Sequence, residues 1–264
     1  MRGLSMLAAL TLAASIGGCA SVNPDAGQSA ERPVSQQTAT SGTRQRAKVH
    51  TELGALYMQR GNMGVALEEA RAAISADSGY APAYSLMGLV YMQVHEDGPA
   101  EKSFEQALAL APADPEINNS FGWFLCQTGR ERRSMQYFQM AIKSPLYTTP
   151  AMPYANAGIC SLRLKDDKAA EDYFTKALRL DAGNTRAIFF LADIAFRQGR
   201  IGEARNYLIE LHKQAESSPE SLWLAVRIER KFGDRDAEAR YAAQLRRKYP
   251  GSPEQLKLMQ GQYE

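Results

Sequence analysis

APAYSLMGLVYMQVHEDGPAEKSFEQALALAPAD, residues 81–114, is the stretch from which the architecture can be read. Gly88 sits at its eighth position, and Gly54, Gly122, Gly158, Ala192 and Val226 follow the same series at intervals of 34, 34, 36, 34 and 34 residues. Twelve residues beyond each comes Ala66, Ala100, Ser134, Ala170 or Ala204, with Glu238 as the exception. Four further on lie Ala70, Phe104, Phe138, Phe174, Leu208 and Ala242. Steps of three and four keep such residues on one helical face. A unit of this length is a helical hairpin that cannot bury its apolar face alone, so neighbours stack into a superhelix with a concave side. Function is therefore to be sought in grooves.

A 34-residue helix-turn-helix period is that of the tetratricopeptide repeat (TPR), and residues 81–114 match its pattern through Tyr84, Gly88, Tyr91, Ala100, Phe104, Ala107 and Pro112. With the glycine series at position 8, repeats start at Ala47, Ala81, Pro115, Ala151, Thr185 and Pro219. Position 15 is Gly61, Gly129, Gly199 and Gly233 in four of them, where a glycine ends the first helix in a left-handed conformation. The expected fold is all-α: a right-handed TPR superhelix over residues 46–264, of six helix-turn-helix repeats and a C-terminal capping helix within Glu254–Tyr263. Repeat six departs most from the pattern, as a terminal repeat facing water does. Two extra residues between repeats three and four fall in Lys143–Pro153, which carries Pro145, Pro150 and Pro153. Proline stops helices, so an extended loop is expected, either a neutral insertion or an edge offered to a partner.

At the start, Arg2 precedes an apolar run from Leu4 to Ile16, too short to span a bilayer and of signal-peptide form. Ile16-Gly17-Gly18-Cys19 resembles the bacterial lipobox, in which the cysteine is acylated after cleavage before it; the alternative is an ordinary signal with Cys19 incidental. The resemblance implies a signal peptide over 1–18 and firm lipid anchoring at Cys19. Ala20 in place of aspartate favours the outer membrane, facing the periplasm. Residues 19–45 are read as the lipidated cysteine and a flexible tether, because the Ser, Gln, Thr, Ala and Gly content up to Gly42 cannot bury enough surface to offset chain entropy. Removing 1–18 takes only Arg2 from the 31 basic residues and leaves 30 against 29 acidic ones, which offers no electrostatic case for nucleic acid.

No catalytic or metal-binding set emerges. His50, His95 and His212 are dispersed over different repeats, and no paired-cysteine motif is present. The expectation is a non-enzyme without cofactor, metal or small-molecule substrate. Cys126 and Cys160 lie at positions 12 and 10 of the first helices of adjacent repeats. A secreted chain permits a disulfide there, and two buried free thiols are the alternative. Concave positions of the repeats collect Met58, Leu89, Met92, Asn119, Trp123, Ile159, Leu162 and Phe189 as candidate partner-binding residues, followed by a basic stretch at Arg227, Arg230 and Lys231 beside Trp223. Aromatic and methionine side chains without a structural duty favour a peptide- or helix-binding surface.

Asn118-Asn119-Ser120-Phe121-Gly122-Trp123-Phe124-Leu125-Cys126 and Asn156-Ala157-Gly158-Ile159-Cys160 go beyond a generic repeat. With the lipobox and six repeats, they resemble the PilF/PilW family of type IV pilus biogenesis proteins over nearly the whole chain. The resemblance implies a disulfide between Cys126 and Cys160. It also implies a pilotin, an outer-membrane lipoprotein that binds subunits of the PilQ-type secretin and promotes their localisation and multimerisation in support of pilus biogenesis and twitching motility. The rival expectation is a general periplasmic TPR scaffold lipoprotein recruiting barrel-assembly or cell-wall-remodelling proteins.

Overall fold

The computed structural model describes residues 32–263, so the expectations for the signal peptide and for Cys19 lie outside the described residues. Thirteen α-helices follow one another among the described residues. They pair as α1 (Gly42–Gln59) with α2 (Met63–Ala76), α3 (Ala81–Gln93) with α4 (Asp97–Leu110), and α5 (Pro115–Gln127) with α6 (Glu131–Lys143). Then come α7 (Ala151–Arg163) with α8 (Asp167–Leu180), α9 (Thr185–Arg197) with α10 (Ile201–Gln214), and α11 (Pro219–Phe232) with α12 (Arg235–Lys248); α13 (Pro253–Gln260) closes the array. Starts are set by local chemistry. Side chains of Asp114, Asp166, Asn184, Ser218, Asp234 and Ser252 accept the unpaired N–H groups of the first turns, and Pro115, Pro219 and Pro253 follow three of these caps.

The hairpins of repeats two, three and four close by fitting bulk on the second helix into space on the first. A Cβ on Gly88 would lie 2.9 Å from the Phe104 ring, one on Gly122 2.9 Å from Phe138, and one on Gly158 2.6 Å from Phe174. These glycines are thus sockets for fully buried phenylalanines. In repeat five the same contact is shared by Ala192 and Leu208, and in repeat six by Val226 and Ala242. Bulk is divided differently across the same interface, so packing is kept while the residue pattern drifts. Glu238, in the place of a small residue, is largely covered, and its carboxylate is paired with Arg230 and Arg235.

Gly61, Gly129, Gly199 and Gly233 end their helices with φ between 77° and 93°, in the left-handed region. His95 and Lys165 occupy the equivalent turns of repeats two and four at φ 62° and 61°. A Cβ there costs about 1–2 kcal/mol, which the surrounding hairpin must hold in place.

The first helices of successive repeats pack on one another, α3 on α5, α5 on α7 and α7 on α9, and therefore line the inner face. Between α6 and α7 the inserted loop is pinned by Tyr147, 6 % exposed, whose hydroxyl pKa burial pushes up to about 12.

One boundary needs correction. A structureless tether through residue 45 does not describe residues 33–45. Helix α1 begins at Gly42, capped by Ser41. Before it, Pro33 is buried and Val34–Gln36 forms a short 3-10 turn. Val34 packs on Ala47, Ala73, Tyr80 and Ala83. Its N–H donates to Asp114 Oδ2 at 2.6 Å, Ser35 Oγ donates to Glu116, and Gln36 Nε2 reaches Glu116 Oε1 at 2.8 Å and Thr148 Oγ1 at 2.7 Å. Composition signals a tether because it counts polar groups as solvated; here their partners lie some 80–112 residues away.

Candidate partner-binding groove

On the inner face, α3, α5, α7 and the start of α9 enclose a cleft of about 790 Å³ with the inserted loop as its rim. Leu89, Asn119 and Trp123 line it, joined by Ala155, Asn156, Arg186, the loop from Thr148 to Met152 and the turn from Leu180 to Thr185. Met152 and Leu180 are about half exposed at the rim, an apolar margin open to a partner.

Trp123 is half-buried and rests on the cluster of Cys126, Phe138, Ala157 and Cys160. Cys126 and Cys160 are joined as a disulfide with Cα atoms 5.8 Å apart, which ties α5 to α7 directly beneath the tryptophan. The Ser134 hydroxyl lies 2.9 Å from Cys160 Sγ. Asn156 Nδ2 donates to Asn119 Oδ1 at 3.0 Å, and Arg186 Nη1 donates to Asn156 Oδ1 at 3.3 Å. The Arg186 guanidinium also lies 5.9 Å from the Trp123 ring centroid. A polar chain, buried at its two asparagines and exposed at Arg186, thus crosses the floor from α5 to α9 and brings the arginine over the tryptophan. Arg163 from α7 adds a clamp by donating to the Cys126 carbonyl at 2.6 Å, one of the acceptors at the end of α5.

Of the eight side chains expected at the groove, only Leu89, Asn119 and Trp123 are brought together here. The other five lie outside this cleft, each partly buried and packed against a neighbouring core. Met58 packs on Ala66, Ala70, Leu86 and Val90, and Met92 on the cluster of Phe104, Phe121, Phe124 and Leu125. Ile159 and Leu162 pack on the cluster around Ala170 and Phe174, and Phe189 packs on the next cluster, edge-on to Phe190. The tight superhelical turn makes consecutive inner positions neighbours of each other. Asn119 is only 5 % exposed and acts by holding Asn156. Trp223, expected at the basic end, is covered by Tyr263, whose ring stacks on it at 5.5 Å.

Sequence reasoning missed Asn156 and Arg186 as cleft residues, while the insertion carrying three prolines did mark the rim. Among the described residues no group of His, Cys, Asp and Glu side chains is arranged to hold a metal ion, and no helix is long and apolar enough to cross a membrane.

Tetratricopeptide repeat models match residues 81–114 and 162–226. The type IV pilus assembly protein PilF of Pseudomonas aeruginosa is 31 % identical over 205 residues, 78 % of this chain and 81 % of that protein. The solved structure of Pseudomonas aeruginosa PilF covers 84 % of this chain and all of its own at TM-score 0.77 and 29 % identity. That of PilW, described as a widely conserved type IV pilus biogenesis factor, covers 81 % of this chain and 98 % of its own at TM-score 0.73 and 30 % identity. With the repeats and the relatives in agreement over most of its length, the chain belongs to the PilF/PilW family of type IV pilus biogenesis TPR proteins.

Proposed function

We propose that this protein is an outer-membrane lipoprotein pilotin, anchored through acyl chains on Cys19, that binds PilQ-type secretin subunits and promotes their localisation and multimerisation. The observation that carries the reading is the Trp123 cleft: a braced aromatic with an apolar, half-exposed margin, on a chain belonging to a pilus biogenesis family. Before its barrel closes, a secretin monomer exposes β-edges and apolar segments that aggregate. Holding one segment in the cleft while the lipid anchor keeps the complex at the bilayer raises the local monomer concentration there. This mechanism rests on protein recognition alone, as expected of a TPR array.

The test uses two variants in a piliated host. Cys19→Ser is expected to remove palmitate labelling and membrane attachment and to leave secretin misplaced or monomeric. Trp123→Ala is expected to weaken secretin binding by about 2 kcal/mol, roughly thirtyfold. Because Trp123 also rests on the disulfide cluster, thermal unfolding is measured on the same protein. Unchanged melting with unchanged secretin multimers would remove this cleft from the mechanism.

A further inference from the structure

At the opposite end of the inner face, α9, α11 and the segment after α13 enclose a second cleft, of about 1190 Å³. Five cations line it, Arg197, Arg227, Arg230, Lys231 and Arg235, and among the described residues its lining includes no carboxylate. Three carboxylates stand behind them: Asp167 and Asp193 pair with Arg197, and Glu238 pairs with both Arg230 and Arg235. Among the described residues, five cations against these three carboxylates leave an excess of two positive charges. Arg227 and Lys231 carry that excess, since neither has an ion-pair partner among the described residues.

Arg227 is held in place before any partner arrives. Its guanidinium lies 4.5 Å from the Phe196 ring centroid, and its Nε donates to the Tyr263 carbonyl at 3.1 Å. The two terminal nitrogens make no hydrogen bond among the described residues, so a planar fork of donors is left for the cleft. Burial holds the group below its usual pKa, a sign that the charge is incompletely solvated. A carboxylate arriving there gains a charge-assisted bidentate contact and relieves the desolvation of the arginine. Phe196, Ile201 and Tyr263 supply apolar walls beside the charge.

We propose that this cleft binds an acidic segment of a protein partner, with one carboxylate on Arg227, a second on Lys231 and an apolar side chain against Phe196 and Ile201. A peptide fits the concavity, whereas a flat anionic bilayer cannot follow it to a half-buried arginine. The proposal does not depend on the secretin reading, because it concerns a different cleft and its probe is not a secretin.

The test measures fluorescence anisotropy of a labelled peptide of glutamate and leucine on the full-length chain, beside its counterpart with glutamine for glutamate and beside vesicles containing phosphatidylglycerol. The acidic peptide is expected to bind, to weaken as salt rises from low to physiological concentration, and to lose about tenfold in affinity in both Arg227→Gln and Lys231→Gln. Arg227→Gln also removes the bond to the Tyr263 carbonyl, so the exposed Lys231→Gln carries the test where the first variant unfolds. No binding, equal binding of the glutamine peptide, undiminished affinity in Lys231→Gln, or binding of vesicles but not of the peptide would each overturn the proposal.

Discussion

Two clefts share one inner face, and they differ in almost every chemical respect. The cleft of repeats two to five is built on a disulfide, a tryptophan and an asparagine pair, and its rim is an inserted loop. That of repeats five and six is built on arginines held by aromatic rings and by the segment after α13. The backbone beneath is the same helical hairpin. What makes this divergence possible is that hairpin closure depends on contacts such as Gly158 with Phe174 or Ala192 with Leu208, between first and second helices. Side chains that line the clefts, such as Asn119, Asn156 and Arg227, stand outside those contacts and can specialise.

The largest expected effect comes from opening the disulfide. Its cysteines are 34 residues apart, for which the chain-entropy model gives about 3–4 kcal/mol, so Cys126→Ala with Cys160→Ala should lower the unfolding midpoint strongly. Hydrogen exchange should then rise in α5 and α7 and stay unchanged in α11. Uniform loosening of both ends would show that the two clefts are not independent.

A smaller loss is expected from Gly158→Ala, whose Cβ would stand 2.6 Å from the Phe174 ring beneath the first cleft. Overpacking of this kind costs about 1–3 kcal/mol. A denaturation midpoint equal to that of the parent would mean that α7 and α8 separate freely, contrary to the socket role given to the glycine.

His212 makes the second region the acid-sensitive one. Burial, with repulsion from Lys248, holds its imidazole below the ordinary value, while its Nε2 lies 3.1 Å from Ser221 Oγ on α11. The unfolded chain takes up the proton more readily, so this stability is complete above the unfolded pKa of about 6.5 and is lost as pH falls through the lower folded value. Melting followed across that window should decline, and should decline less in His212→Gln. An identical slope in the variant would assign the acid sensitivity elsewhere.

The smallest effect should be a gain. Lys165→Gly, at φ 61° in the turn after α7, removes a left-handed Cβ and should add at most about 1 kcal/mol. A lower urea midpoint would mean that glycine's extra freedom in the unfolded chain outweighs the relief.

The repeat register is legible in the chain without its fold. Five expected first-helix starts, Ala81, Pro115, Ala151, Thr185 and Pro219, coincide with those of α3, α5, α7, α9 and α11. The reason is local: a glycine, its phenylalanine sixteen residues on and the turn between them close within one hairpin, and helical periodicity alone displays that contact. Only the tertiary structure decided which inner side chains face a cleft. Met92 and Phe189, both partly buried, lean on the cores of their own and neighbouring repeats and stay outside the clefts. Trp223 is hidden by Tyr263, 40 residues later, and Val34 is held by Asp114, 80 residues away. Such contacts depend on how far each repeat rotates on the last. That rotation accumulates from many small packing choices, and no period in the sequence records it.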